Sequence, residues 1–281
     1  MTKIAITGAT GQLGRLAIKA ILARDPQADV LGLARNVSAD VGAPLRAMDY
    51  TKPDTLAPAL AGVDVLVLIS SSDFNDRAGQ HRAVVLAAAA AKVGRIVYTS
   101  ILKGVDNPMI LAQDHIATEA AIAGSGLMAT ILRNGWYTEN YTASLGGALA
   151  AGAMIGSSGQ GRISSAARAD YAEAIAVVAL DAAHAGKVYE LAGDTAHTMA
   201  EFAAEVGQQA GKTIGYNDLT PEVYAQTLVN FGLPEGFAMV LADCDAKARD
   251  GALFDDSRNL SRLIGRPTTA IALPIAAALR A

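Results

Sequence analysis

A single cysteine, Cys244, is all the 281 residues offer, which excludes an intrachain disulfide and any zinc or iron–sulfur site built from several thiolates. A reducing compartment such as the cytoplasm suits such a chain. Aromatic residues make up only 5% although hydrophobic residues reach 52%, so the apolar bulk comes from small and branched aliphatics. Alanine-rich runs such as 87–91 point to closely approaching helices rather than a β-sandwich. No block of basic residues stands out: 23 Lys and Arg against 27 Asp and Glu give a formal net charge of −4, and nucleic acid is not expected as a partner. No basic leader ahead of a long apolar run is read from these residues, and export is not expected. The long uncharged stretch 143–161 is broken by glycines and by Ser144, Ser157 and Ser158, so it reads as a helix followed by a loop and not as a membrane span. The histidines, His81, His115, His184 and His197, form no metal-like pair at short helical spacing, so no metal is expected.

What is present is an alternation of strand and helix patterns. Lys3 to Thr7 reads as a strand, and Leu13, Leu16, Ala17, Ala20 and Ile21 then recur at helical spacing. Further strands are expected over 30–34, 45–48, 63–69, 95–99 and 128–132, with helices over 55–60, 77–92 and 112–123. The run Val65 to Ile69 is apolar without alternation, as a strand covered on both faces requires. These features predict an α/β fold: a Rossmann-type, doubly wound parallel sheet over residues 1–150, joined by a strand near 187–191, with a smaller, mostly helical α/β unit over 151–281 interleaved with it. In that second part Thr198 and Glu201 have the spacing of a capping box, and Thr220 followed by Pro221 marks another helix start.

Between the first strand and the first helix lie Gly8, Ala9, Thr10, Gly11, Gln12, Leu13 and Gly14. In that position small residues let the backbone approach a pyrophosphate, while the helix's unpaired amides and positive dipole end stabilise its charge. At the end of the second strand, where an acidic residue would bind the ribose 2′-hydroxyl of NAD, the sequence reads Ala34, Arg35, Asn36. A guanidinium there suits the 2′-phosphate of NADPH, so NADPH is the expected cofactor, with NADH possible. Asp49 after the third strand is a candidate partner for the adenine amino group. Ser70 and Ser71 after the fourth are candidates for ribose or phosphate.

The three-glycine spacing, together with Ile69-Ser70-Ser71-Ser72, Gln80-His81-Arg82, Tyr98-Thr99-Ser100, the run 132–141 and Leu253 to Ser257, resembles the NmrA-like atypical short-chain dehydrogenase/reductases. The likeness is strongest to the bacterial flavin-free NAD(P)H:quinone oxidoreductases of type 2, with the triphenylmethane dye reductases as near relatives. It spans nearly the whole chain. The resemblance implies NADPH held by Gly8 to Leu13, Arg35, the loop Asn75, Asp76, Arg77, and the segment Glu139, Asn140, Tyr141 to Ser144. It also implies a monomer-like two-domain unit with a quinone in the cleft between domains; the sequence leaves monomer and homodimer open. Arginine or lysine is frequent just after the second strand in such enzymes, and residues 37–40 offer neither.

Ordinary short-chain dehydrogenases move a proton with a Tyr-x-x-x-Lys pair. Here the corresponding helix carries His115 and Glu119, so simple ketone chemistry lacks its donor. A quinone spreads the charge arriving with hydride over its ring and far oxygen, and its product can collect a proton from water. The expected reaction is direct two-electron transfer from nicotinamide C4 to a quinone or similar planar electrophile, without flavin or metal. Trp136, Tyr137 and Tyr141 are candidate walls for the flat substrate, and His81 and His115 are weak candidates for proton donation. A non-catalytic NAD(P) sensor of the NmrA type and a dye reductase are the alternatives. The acidic stretch Asp243, Asp245, Asp250, Asp255 and Asp256 is expected to form a solvated helix face.

Overall fold

The computed structural model describes residues 2–73 and 75–280. The strands are β1 (Lys3–Thr7), β2 (Asp29–Ala34), β3 (Leu45–Ala47), β4 (Val65–Leu68), β5 (Arg95–Ile101), β6 (Met128–Asn134), β7 (Ala153–Gly156), β8 (Val188–Leu191) and β9 (Gly215–Asp218). The helices are α1 (Gln12–Arg24), α2 (Leu56–Leu60), α3 (Arg77–Ala90), α4 (Ala112–Gly124), α5 (Thr138–Thr142), α6 (Leu145–Ala151), α7 (Arg168–Leu180), α8 (Met199–Ala210), α9 (Pro221–Asn230), α10 (Glu235–Arg249), α11 (Asn259–Ile264) and α12 (Ala272–Leu279).

Seven strands form one sheet in the order β3-β2-β1-β4-β5-β6-β8. β1 lies parallel to both β2 and β4, with Ile4 opposite Val30 on one side and Val65 on the other. The chain therefore reverses its direction of travel across the sheet at β1, and the carboxyl end of that strand is the switch point where ligands bind in such sheets.

The chain divides into two compact units that exchange segments: residues 1–104, 114–134 and 168–189 form the first, and 105–113, 135–167 and 190–281 the second. The helix α7 belongs to the first unit, and residues 105–113 to the second. Successive strand residues serve opposite faces of the sheet. Ala5, Leu66, Leu68, Ile96 and Tyr98 join the core under α2 and α3 with Leu56, Leu60, Val84, Val85 and Ala88. On the other face α1 packs against α7. Both helices are rich in small residues at the contact, Ala17 on one and Ala172 and Ala176 on the other, all buried, so their backbones approach closely. Arg95 is buried at the start of β5 and donates to the carbonyls of Val178 and Ala179 at 2.7 and 2.5 Å. It thereby places a cation against the negative end of α7.

In the second unit β7 pairs in parallel with β9. The stretch 143–161, expected to be helix and loop, is α6, a turn at Gly152 with φ +73°, and then β7. Four residues of strand are too few for periodicity to reveal against an alanine- and glycine-rich background. The capping box of α8 is present: Thr198 Oγ1 accepts from the Glu201 amide at 3.1 Å, and Glu201 Oε2 accepts from the Thr198 amide at 2.8 Å. α9 begins at Pro221 with Thr220 capping the Val223 amide, as its sequence predicts.

Candidate functional site

The turn from β1 to α1 can be built atom by atom. Gly8 has φ +60°, a left-handed conformation that favours glycine. The Gly11 amide then donates to the Gly8 carbonyl at 2.9 Å. A Cβ on Gly14 would lie 2.2 Å from that same carbonyl oxygen and 2.9 Å from Ala9 Cα, so the helix touches the turn at a distance only hydrogen permits. The Ala9 amide is tied to Leu33 O at 3.2 Å. The first bond of the α1 ladder runs from the Arg15 amide to Gly11 O, which leaves the Gln12, Leu13 and Gly14 amides ahead of it. Gly11 supplies no side-chain cap, and no acid occupies the first turn. A diphosphate fits this cradle by charge and by shape. The side chain of Gln12 is held from α7, where Arg168 donates to its Oε1.

The strand ends beside the turn are equally determined. Three consecutive amides leaving β4 are each received by a side chain: Ile69 by Thr7 Oγ1 at 2.9 Å, Ser70 by Thr99 Oγ1 at 2.9 Å, and Ser71 by His81 Nε2 at 3.0 Å. Because His81 Nε2 accepts, the network puts its proton on Nδ1. That nitrogen lies 3.0 Å from Thr118 Oγ1, whose own hydrogen goes to Asp114 O at 2.7 Å. Burial first, then the charge of Arg77, lowers His81 to about 4, so the ring is neutral. His115 is buried with Nδ1 2.9 Å from the Tyr98 hydroxyl, and burial holds it well below the usual histidine range. Both rings, weak candidates for proton donation, are thus neutral and engaged in hydrogen bonds, and His81 anchors the segment after β4.

The neighbouring candidates also have local partners. Asn75 Nδ2 donates to Asp73, Asp76 caps the Gly79 amide, and the buried Arg77 pairs with Asp114 through Nε and Nη2, each at 3.0 Å. Asp49 accepts from the Thr51 amide and hydroxyl at 3.0 and 2.8 Å, bonds that hold its carboxyl below the usual range. Arg35 is exposed immediately after β2. On α4, Glu119 is paired with Arg133 at 2.7 Å and accepts from Ser100 Oγ, so the position of the missing lysine is filled by an ion pair.

The second unit carries the aromatic and amide run. Trp136 O accepts from the Ala166 amide at 3.1 Å and the Thr138 amide returns to Ala166 O at 2.9 Å, which fixes Tyr137 in a parallel bridge. Trp136 and Tyr137 are half-buried, whereas Asn140 and Ser144 are exposed. Glu139 and Asn140 lie on α5, and Ser144 Oγ donates to Tyr141 O at 3.0 Å. The Tyr141 ring stands 5.5 Å from Phe202, and its hydroxyl is buried without a hydrogen-bond partner among the described residues. Burial and then the charge of Asp245 push that phenol well above its ordinary pKa.

Asp245 departs from the expected solvated face. It accepts from the Ser157 amide at 2.8 Å, and burial raises its carboxyl to about 6. Asp243 likewise receives the Ile110 amide at 2.7 Å. The signal for Asp245 was in its spacing from the buried Ala238, Ala242 and Ala248, one stripe of α10. Cys244 is buried, as a packing residue would be. Among the described residues no cluster of three or more His, Cys, Asp or Glu is placed to hold a metal ion, and no helix is long and apolar enough to cross a membrane.

With this geometry in place, comparison with known proteins is informative. The sequence model of a family described as NAD(P)H-binding matches residues 8–182. Quinone oxidoreductase 2 of Escherichia coli is 49% identical over 274 residues, covering 96% of each chain. The crystal structure of that NADPH-dependent enzyme complexed with NADPH superposes with a TM-score of 0.94 at 48% identity, over 98% of this chain and 99% of that one. The Citrobacter triphenylmethane reductase complexed with NADP(H) gives 0.90 at 33% identity, over 98% and 99%. The glycine turn, the switch-point sheet and these full-length likenesses agree, and the chain belongs to the NAD(P)H-binding family that includes quinone oxidoreductase 2 and triphenylmethane reductase.

Proposed function

We propose that the protein is an NADPH-dependent quinone oxidoreductase that reduces its acceptor by two electrons without flavin or metal. The observation that carries this reading is the turn from Gly8 to Gly14, a diphosphate cradle closed to any side chain at Gly14, in a chain 49% identical to a quinone oxidoreductase. When bound, the reduced nicotinamide supplies a hydride.

The residues supply position and environment. Arg35 at the end of β2 binds the 2′-phosphate by charge-assisted bonds. Ser70 and Ser71, on amides fixed by Thr99 and His81, border the diphosphate. Glu139, Asn140, Tyr141 and Ser144 contribute to cofactor binding, and Trp136 and Tyr137 present flat apolar surface to the quinone. The choice of acceptor follows from α4: His115 is neutral and bonded to Tyr98, and Glu119 is bound to Arg133, so neither donates a proton as a Tyr-Lys pair would. A quinone tolerates this because its reduced form disperses charge and takes a proton from water.

Stopped-flow absorbance of NADPH mixed with protein and a simple quinone tests the reading. Acceptor-dependent oxidation is expected; tight NADPH binding without turnover would favour a nucleotide sensor instead. The 33% identity to triphenylmethane reductase favours a second acceptor class, and a panel pairing quinones with cationic dyes separates the two by kcat/KM. For the cofactor, Arg35→Ala is expected to weaken NADPH about tenfold or more and to leave NADH nearly unchanged. Equal losses for both would remove Arg35 from that role.

A further inference from the structure

We propose that Arg15 is a second specificity-determining residue for the 2′-phosphate of NADPH, joining the diphosphate turn to the segment that follows β2. The proposal rests on the reading of the glycine turn as the nucleotide site. That segment carries Arg35 but no other cation: residues 36–44 are Asn, Val, Ser, Ala, Asp, Val, Gly, Ala and Pro. One guanidinium beside a dianionic phosphate leaves charge unbalanced.

Arg15 supplies what the segment lacks. It stands directly after Gly14 in the first turn of α1, and its guanidinium makes two bonds of different reach. Nε donates to Thr10 O at 3.0 Å inside the diphosphate turn, and Nη1 donates to Asp40 O at 2.6 Å in the segment after β2. Both acceptors are carbonyl oxygens, so neither bond neutralises the positive charge. The segment itself is shaped locally: Asn36 Oδ1 accepts from the Ser38 amide at 2.9 Å, Asp40 Oδ1 accepts from the Gly42 amide at 3.0 Å, and Gly42 has φ +78°. Between it and α1 lies an open groove of roughly 550 Å³ lined by Arg15, Lys19, Asp40, Val41 and Gly42. Across that gap the Arg15 fork ties the segment to the helix. One side chain therefore places a cation beside the Arg35 segment and fixes where that segment lies relative to the turn.

Isothermal titration with 2′,5′-ADP and with 5′-ADP isolates the role, since the two ligands differ in where a phosphate sits on the ribose. For Arg15→Ala we expect 2′,5′-ADP affinity to fall about tenfold or more, while 5′-ADP affinity changes by about twofold or less. Arg15→Lys keeps the charge but loses the fork, and is expected to fall between wild type and Arg15→Ala for 2′,5′-ADP alone; it carries the test if the alanine variant does not fold. Raising ionic strength should narrow the preference for 2′,5′-ADP more in wild type than in Arg15→Ala. Equal losses for both ligands, or no loss for either, would overturn the proposal while leaving the nucleotide site intact. Failure of the wild-type protein to bind either ligand would overturn the nucleotide-site reading itself, and the proposal with it.

Discussion

A methyl group at position 14 would sit 2.2 Å from the Gly8 carbonyl oxygen and 2.9 Å from Ala9 Cα, both of them backbone atoms that have no room to yield. Helix propensity alone favours alanine over glycine by about 1 kcal/mol, whereas forced overpacking costs about 1–3 kcal/mol and displaces the turn. Sterics win, so Gly14→Ala is expected to lower the melting temperature and abolish NADPH binding in a fluorescence titration; a more stable variant with unchanged affinity would contradict the close contact. The glycine spacing is legible in the sequence because a turn of that kind leaves small residues at fixed intervals. Arg15 is not, since a charged residue on an exposed helix face has no pattern of its own. His81 reads as a candidate donor because a sequence shows that an imidazole is present but not which atoms surround it. Its acceptance of the Ser71 amide exists only once β4 and α3 are packed together.

Among the elements, α8 shows how far local rules reach. Thr198 and Glu201 satisfy one another's backbone amides within four residues, so the cap needs no tertiary partner. Thr198→Ala is expected to cost about 1 kcal/mol in chemical denaturation, with Thr198→Ser close to wild type. A loss well above that would mean Thr198 does more than cap. By contrast β7 and β9 are strands only because they pair with each other, Ala153 opposite Gly215 and Gly156 opposite Asp218. Short strands of this kind have no periodicity to find, and 143–161 reads as helix and loop. On α10 the acidic residues conceal an amphipathic stripe: Asp245 lies with the buried alanines and receives Ser157, so residue type misled where spacing did not.

Across the molecule the buried titratable groups set the response to pH. His81 and His197 fall from 6.5 to about 4 on folding, chiefly through burial, and both ring nitrogens of His197 lack a partner among the described residues. The unfolded chain therefore binds more protons between those values. The stability these groups contribute is complete above 6.5 and is lost as pH falls toward 4. Asp245 acts in the opposite sense: its carboxyl rises from 3.8 to about 6, so the native state holds the extra proton and ionisation above 6 carries a cost. Asp245→Asn, which keeps an acceptor for Ser157, is expected to stabilise the protein at about pH 7.5 and to change little at about pH 4. Melting curves at the two values check this, and destabilisation at about pH 7.5 would show that the charged carboxylate is needed.

By itself the sequence determined the parallel α/β sheet, the glycine turn that opens α1, the missing Tyr-Lys pair and the helix caps. Each leaves its pattern among neighbours a few residues apart, where hydrophobic spacing, sterics and hydrogen-bond spacing are readable. The tertiary structure alone decided that α7 belongs to the first unit, that Thr7, Thr99 and His81 each receive an amide leaving β4, and that Arg15 reaches Asp40. Those arrangements join residues distant in the chain, whose packing fixes which polar atoms meet, and a linear pattern holds no record of such distances.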